Sequence, residues 1–143
     1  MTSSGMANRL RLGAILLLLL GLTAACGSAA QQPALDGTTW KLTAWVEPEP
    51  IPGSVTITAE FADGRVAGSS GVNHYNGSVE SSTDGSFAID QPVSTMMAGP
   101  EEAMKAEATY LRLLEGATSY AIDGDTLELK DADGQPALTF TRA

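Results

Sequence analysis

Residues 54–61 read Ser54-Val-Thr-Ile-Thr-Ala-Glu-Phe61, and Ala62-Asp-Gly64 follows directly. Val55, Ile57, Ala59 and Phe61 fall at every second position, with Thr56, Thr58 and Glu60 between them. A side-chain period of two puts the apolar set on one face of a strand and the polar set on the other. The Asp-Gly pair supplies residues that tolerate positive φ, as a tight hairpin turn requires. One apolar face, one polar face and a short turn make an antiparallel hairpin rather than a βαβ unit, whose strands are buried on both sides.

The pattern continues outward. Trp40, Leu42, Ala44 and Val46 alternate with Lys41, Thr43 and Trp45, and Phe87/Ile89, Tyr120/Ile122, Leu127/Leu129 and Leu138/Phe140 repeat the alternation. Thr83-Asp-Gly85, Asp123-Gly-Asp125 and Asp133-Gly134 separate these runs as turns. About eight strands are expected, near residues 38–46, 54–61, 65–69, 75–82, 86–90, 119–123, 126–131 and 136–141. Pro100 to Glu115 breaks the period. Proline at a first helical position, Glu101 and Glu102 in the first turn and Gly116 past the end predict a helix over about 100–115. Met104, Ala108, Leu111 and Leu114, widened by Ala103 and Tyr110, form its expected core face. A lone helix among meandering strands must cover the open side of a curved sheet or plug a partial barrel. The expected class is therefore α+β and β-dominant, with about eight mostly antiparallel strands in a curved sheet or partial barrel and one helix packed against it.

Length and charge bound the function. The chain has 143 residues, room for one ordinary domain. Its 17 acidic and 8 basic residues give a formal charge of −9, which argues against a nucleic-acid partner, since phosphate neutralisation needs clustered Lys and Arg. One cysteine and one histidine are too few for a structural zinc site, and no metal or cofactor is expected.

Residues 1–25 combine Arg9 and Arg11, an apolar run from Leu12 to Leu22, and small residues before Cys26. The run is too short for a membrane-spanning helix, which takes ~20 residues, and the arrangement is that of a secretory signal. Cys26 after Ala24-Ala25 resembles the lipobox of bacterial lipoproteins, with Thr23 where a leucine is usual and Leu22 one place earlier. That resemblance implies a diacylated Cys26 as the first mature residue. Cleavage there takes Arg9 and Arg11 away and leaves 118 residues at −11. Gly27 to Ala34 reads as a flexible tether. The expected organisation is a signal peptide over 1–25, a lipidated cysteine and tether over 26–34, and a domain over 35–143. The expected location is the extracytoplasmic side of the cell membrane, or the outer membrane where a cell has two, because Gly27 and not Asp follows the cysteine.

Four segments carry a family resemblance. Leu35-Asp-Gly-Thr-Thr-Trp-Lys-Leu42 resembles the opening L-x-G-T-x-W-x-L of META domains, the HslJ-like group. Gly71-Val-Asn-His-Tyr-Asn-Gly77 is similar to their G-C-N-x-Y-x-G motif, and Thr95-Met-Met-Ala-Gly-Pro-Glu-Glu-Ala-Met-Lys-Ala-Glu107 to the T-x-M-A-C stretch leading into the family helix. Leu127 to Phe140 resembles the closing hairpin. The resemblance implies a small antiparallel β structure with one helix, an envelope association sometimes linked to stress, and no general catalytic activity. It also implies a disulfide between the two motif cysteines in members that have them. Val72 and Gly99 stand at those positions here and are expected to be neighbours, with the valine packing into the core.

The candidate residues divide by the chemistry they can perform. Gly71, Asn73, Tyr75, Gly77 and Thr95 belong to the motifs and are read as mainly structural; Asn73 tolerates left-handed backbone and caps its own turn, with ligand contact as its alternative role. Glu107 lies on the apolar stripe between Met104 and Leu111, where an unpaired carboxylate is expensive. It is expected to accept hydrogen bonds from the Gly71–Gly77 or Thr95–Gly99 segments. Trp45 falls on the polar face of its strand, either covered by the loop from Glu47 to Gly53 or forming a rim contact for a ligand or partner. His74 is the sole imidazole, and no G-x-S-x-G serine motif accompanies it. Two readings follow: a lipid-anchored, non-catalytic module that binds an envelope protein or peptide, or a small extracytoplasmic hydrolase using His74 and nearby polar residues. The absence of a nucleophile, base and orienter at workable spacing favours the first.

Overall fold

The computed structural model describes residues 30–143. Nine strands and one helix follow in the order β1 (Thr38–Trp45), β2 (Thr58–Ala62), β3 (Arg65–Ser69), β4 (His74–Ser81), β5 (Phe87–Ile89), β6 (Val93–Ser94), α1 (Glu101–Glu115), β7 (Ser119–Asp123), β8 (Thr126–Lys130) and β9 (Pro136–Arg142). All named pairings are antiparallel, in the sheet order β5-β4-β3-β2-β1-β9-β8-β7, with the short β6 also on β4. The sheet curls until its ends meet: Ser86 bridges Ser119, Phe87 N–H donates to Thr118 O (3.0 Å), and Tyr120 N–H to Gly85 O (2.8 Å). The result is a nearly closed, barrel-like α+β fold, as the alternation predicts. The turn after β2 carries positive φ at both Asp63 (54°) and Gly64 (68°), the backbone that the Asp-Gly pair predicts.

The interior holds Trp40, Phe61, Tyr75, Leu127, Leu129, Leu138 and Phe140 from the strands and Tyr110 and Leu114 from α1. The Tyr110 ring meets Tyr75 edge-on at 5.4 Å and Phe140 at 6.4 Å, so the helix plugs the barrel rather than lying on it. Tyr75 donates to Thr58 O (2.8 Å), and the two tyrosine hydroxyls lie 2.6 Å apart. Burial raises both phenol pKa values above the ordinary 10.0 because the phenolate would be desolvated.

Four sequence expectations are corrected. Ser54–Ile57 is not part of a strand and β2 begins at Thr58, because a turn closed by Val55 N–H on Pro52 O (2.9 Å) occupies the start of the expected run; Ile57 O still accepts from Leu42 N–H of β1 (2.9 Å), and Val55 and Ile57 are buried. In β1, the register against β9 shifts between Leu42 and Ala44, so Thr43 is an extra residue. A bulge reverses the facing of all that follows. Ala44 is consequently exposed, Val46 is 55 % exposed, and Trp45 turns toward the core that the alternation assigned to its neighbours.

The helix begins at Glu101 with Pro100 as its cap, and its buried face is Ala103, Ala106, Glu107, Tyr110, Leu113 and Leu114. Met104 (44 % exposed) and Ala108 face outward, because the helix is rotated to carry Glu107 and Tyr110 inside. The tether is fastened well before residue 35. Gln32 N–H donates to Thr83 O (2.7 Å), Gln32 Oε1 accepts from Ile122 N–H (2.9 Å), and Pro33 O accepts from the Tyr120 hydroxyl (3.0 Å). This strap crosses the seam between the β4–β5 turn and β7.

Candidate functional site

The chain turns sharply between β3 and β4, with Gly71 at φ 124° in backbone that L side chains rarely adopt. The turn is closed by Ser70 N–H donating to Asn73 O (2.8 Å). It aims three donors at one carboxylate on α1. Asn73 N–H donates to Glu107 Oε1 (2.9 Å), Asn73 Nδ2 to Oε2 (2.8 Å), and the Ser70 hydroxyl to Oε1. Ser70, Asn73 and Glu107 are at most 8 % exposed. Asn73 completes its side-chain capacity on the other side: Oδ1 accepts from Thr95 Oγ1 (2.9 Å) and Met97 N–H (2.7 Å), while Nδ2 also donates to Met97 O (3.2 Å). Turn, helix and pre-helix segment are thus tied together by four side chains. Among the described residues, no buried side-chain polar atom lacks a partner.

Val72 and Gly99 are neighbours. A Cβ built on Gly99 would lie 3.4 Å from Val72 Cβ and 2.8 Å from its Cγ2, so the valine occupies the space a larger residue 99 would need. Val72 is half-buried at the edge of the core rather than inside it. Tyr75 lies in the core, and Gly77 packs under Ile89, whose Cδ1 stands 3.1 Å from where a Cβ would be.

His74 is exposed, one residue beyond the buried cluster but on the opposite face of β4. Its backbone N–H donates to Thr95 Oγ1 (3.2 Å) and its carbonyl accepts from Thr95 N–H (3.0 Å); among the described residues its imidazole has no hydrogen-bond partner. The structure therefore gathers Asn73, Thr95 and Glu107 into one network with Ser70, places Gly71 at the turn that shapes it, and leaves the His74 imidazole outside it. Cys26 lies outside the described residues.

A second region lies across α1. Trp45, turned by the bulge, donates its indole N–H to Glu49 O (2.7 Å), and the 47–52 loop Glu-Pro-Glu-Pro-Ile-Pro folds beside it. Loop and indole form one wall of an open groove of about 920 Å³, and Glu101, Glu102, Lys105, Ala106 and Thr109 form the other. Arg112 pairs with Glu47, Lys105 with Glu101 (3.3 Å), and Glu102 accepts from the Ser54 hydroxyl (3.0 Å). Of the two roles open to Trp45, the loop contact is present, and the indole lines the groove as well.

Sequence reasoning missed Ser70 as the third donor to Glu107. A serine immediately before the turn glycine was the available signal. It also missed the groove, whose second wall needed the loop's path. No group of three or more His, Cys, Asp or Glu side chains able to hold a metal ion occurs among the described residues.

Two solved structures share the architecture. The structure of a protein from Burkholderia xenovorans, determined by NMR, superposes with a TM-score of 0.65 at 24% identity, over 76% of this chain and 83% of that one. The crystal structure of a DUF4847 family protein from Bacteroides vulgatus does so with a TM-score of 0.53 at 16% identity, over 80% and 94%. At such identities the likeness concerns the fold alone. Among curated proteins, none matches this chain. The plugged barrel and the turn-to-helix network are, however, built from the very segments that the META domain family model matches over residues 33–143, and the chain belongs to that family.

Proposed function

We propose that this META-domain protein is a non-catalytic binding module, held on the extracytoplasmic face of the cell membrane by a diacylated Cys26, that presents the Trp45 groove to an envelope protein or peptide. The family resemblance adds an envelope-stress setting to that reading. The observation that carries it is the contrast in availability between the two polar regions. Asn73 and Glu107 have their hydrogen-bonding capacity engaged by each other and by Ser70, Thr95 and Met97, and neither is presented to solvent. The groove instead offers an aromatic ring and carboxylates on an open surface, the combination that recognition sites use. Two acyl chains supply ~0.8 kcal/mol per buried CH₂, whereas an acidic body is repelled by anionic headgroups.

Anchoring is tested by labelling cells with palmitate and fractionating them. The native chain should carry label and sediment with membranes, and Cys26→Ser should be unlabelled and move to soluble or precursor pools. Unchanged label and sedimentation would defeat the anchor. Binding is tested by placing a photo-crosslinking residue at Thr109, in the groove wall, or at Glu128 on β8. A discrete adduct is expected from position 109 and not from 128; equal patterns at both would defeat the groove as the binding surface.

A further inference from the structure

We propose that the occupant of the groove is an extended, basic peptide segment, bearing arginine or lysine side chains separated by apolar ones. The inference rests on the groove being the binding surface and adds the chemistry of the partner. Among the lining residues, four carboxylates (Glu47, Glu49, Glu101 and Glu102) stand against a single ammonium, Lys105. Glu101 and Glu47 have Lys105 and Arg112 as counter-charges, whereas Glu49 and Glu102 have no cationic partner among the described residues. The bare N-terminus of a helix would attract an anion, but Glu101 and Glu102 already occupy the first turn and reverse the local sign.

The remaining polar groups point to the same occupant. Proline fills positions 48, 50 and 52, so these residues of the loop wall have no N–H donor; Pro52 O is taken by Val55 N–H (2.9 Å), which leaves the Pro48 and Pro50 carbonyls as acceptors. The indole N–H of Trp45 is engaged by Glu49 O, which fixes the ring and leaves its π surface as what an occupant can meet. A wall of acceptors, π surface and unpaired carboxylates suits a donor-rich cation: guanidinium stacks on indole and forks onto carboxylate. Pro48, Pro50, Pro52 and Ala106 supply apolar contacts for the side chains between the cations. The groove is open rather than enclosed, which fits a segment of chain passing through it and not a small amine, whose surface would need to be largely buried.

The test uses the full chain purified in neutral detergent and a fluorescein-labelled peptide, Ala-Arg-Leu-Arg-Leu-Ala, against its counterpart with citrulline in place of each arginine. Citrulline keeps the shape and removes the charge. Fluorescence anisotropy should show the arginine peptide binding at least about tenfold more tightly, as for loss of charge-assisted hydrogen bonds. The difference should shrink as salt rises from about 0.05 M to about 0.5 M. Glu49→Gln/Glu102→Gln should lose most of that preference and Trp45→Ala should lose binding. Glu60→Gln/Glu80→Gln, the same charge change on the outer sheet surface, should lose neither. Equal affinity for both peptides, still abolished by Trp45→Ala, would overturn the basic-segment inference and leave the groove reading standing. Equal losses in the two double variants would likewise overturn it, as attraction to net charge only. Absence of binding by either peptide, together with a groove-specific adduct in cells, overturns the inference alone. Absence of both overturns the groove reading too.

Discussion

Glu107 and Glu102 lie five residues apart on the same helix, and their surroundings give them opposite roles. Glu107 is 8 % exposed and receives three donors; Glu102 is exposed and receives one hydroxyl. Taking a carboxylate out of water is costly unless its lone pairs are met in place, and the turn at Ser70–Asn73 meets them. Once met, they are no longer available to a ligand. On the groove, Glu49 and Glu102 are exposed, contribute little to folding, and keep their charge available for contact. In this fold the most heavily hydrogen-bonded acid is a fastening, and the two groove acids without a cationic partner among the described residues, Glu49 and Glu102, are the ones positioned to meet a partner.

The sharpest way to break that contrast is to remove the fastening. Glu107→Ala leaves the Ser70 hydroxyl, Asn73 N–H and part of the Asn73 amide without their acceptor, and should lower unfolding free energy by roughly 2–4 kcal/mol. Urea titration checks it, and a loss below about 1 kcal/mol would show the network to be dispensable. A gain of similar size is expected from Val72→Cys/Gly99→Cys. The Cβ positions, 3.4 Å apart, stand just under the usual bridging separation of ~3.5–4.5 Å, a shift of about a tenth of an ångström, and closing a loop of about 28 residues contributes up to ~3–4 kcal/mol. The gain should vanish on reduction. Gly99→Ala alone should instead destabilise by roughly 1–3 kcal/mol, because its Cβ meets Val72 Cγ2 at 2.8 Å, and Val72→Ala should relieve part of that loss.

Base supplies the next test. Tyr75 and Tyr110 have pKa values raised by burial in the folded chain, so below pH 10 both states hold the proton and their contribution is constant. Above pH 10 the unfolded chain ionises first, and stability should fall continuously as pH rises toward the raised values. Tyr110→Phe should cost about 1 kcal/mol at neutral pH and flatten that alkaline decline. The smallest effect belongs to the groove: Glu49→Gln/Glu102→Gln should leave unfolding free energy within about 0.5 kcal/mol of the native value. A large loss there would mean that these acids also hold the fold.

What could be read from the chain follows the reach of each physical rule. Period-two alternation and Asp-Gly turns act over a few residues, and they identify the hairpins from β2 onward. Helix limits are likewise local, and α1 departs from expectation by one residue at Pro100. Facing is not local. Thr43 has no mark that distinguishes a bulged threonine from a paired one, so the shift against β9 and the inward turn of Trp45 follow only from the register. Met104 looks like a core residue by spacing, yet it is displaced because Tyr110 and Glu107 compete for the interior and win on size and on donors. Glu107 was legible as an acid that must be paired, since an apolar stripe leaves a carboxylate no cheaper option. Ser70, Met97 and the loop wall of the groove depended on how distant segments meet. So did the stacking of Arg142 over Trp40 at 4.5 Å, where β9 passes β1.

The strap at Gln32 and Pro33 also sets a load path. It attaches across the seam between the β4–β5 turn and β7, where the barrel closes through far fewer backbone bonds than any full ladder provides. A pull on the chain from its N-terminal side therefore acts first on three hydrogen bonds at that seam, before any of it reaches Trp40 or the β1–β9 ladder. Those bonds work as a fuse. Tension peels the strap, and the plugged core is spared until the slack this releases is used up.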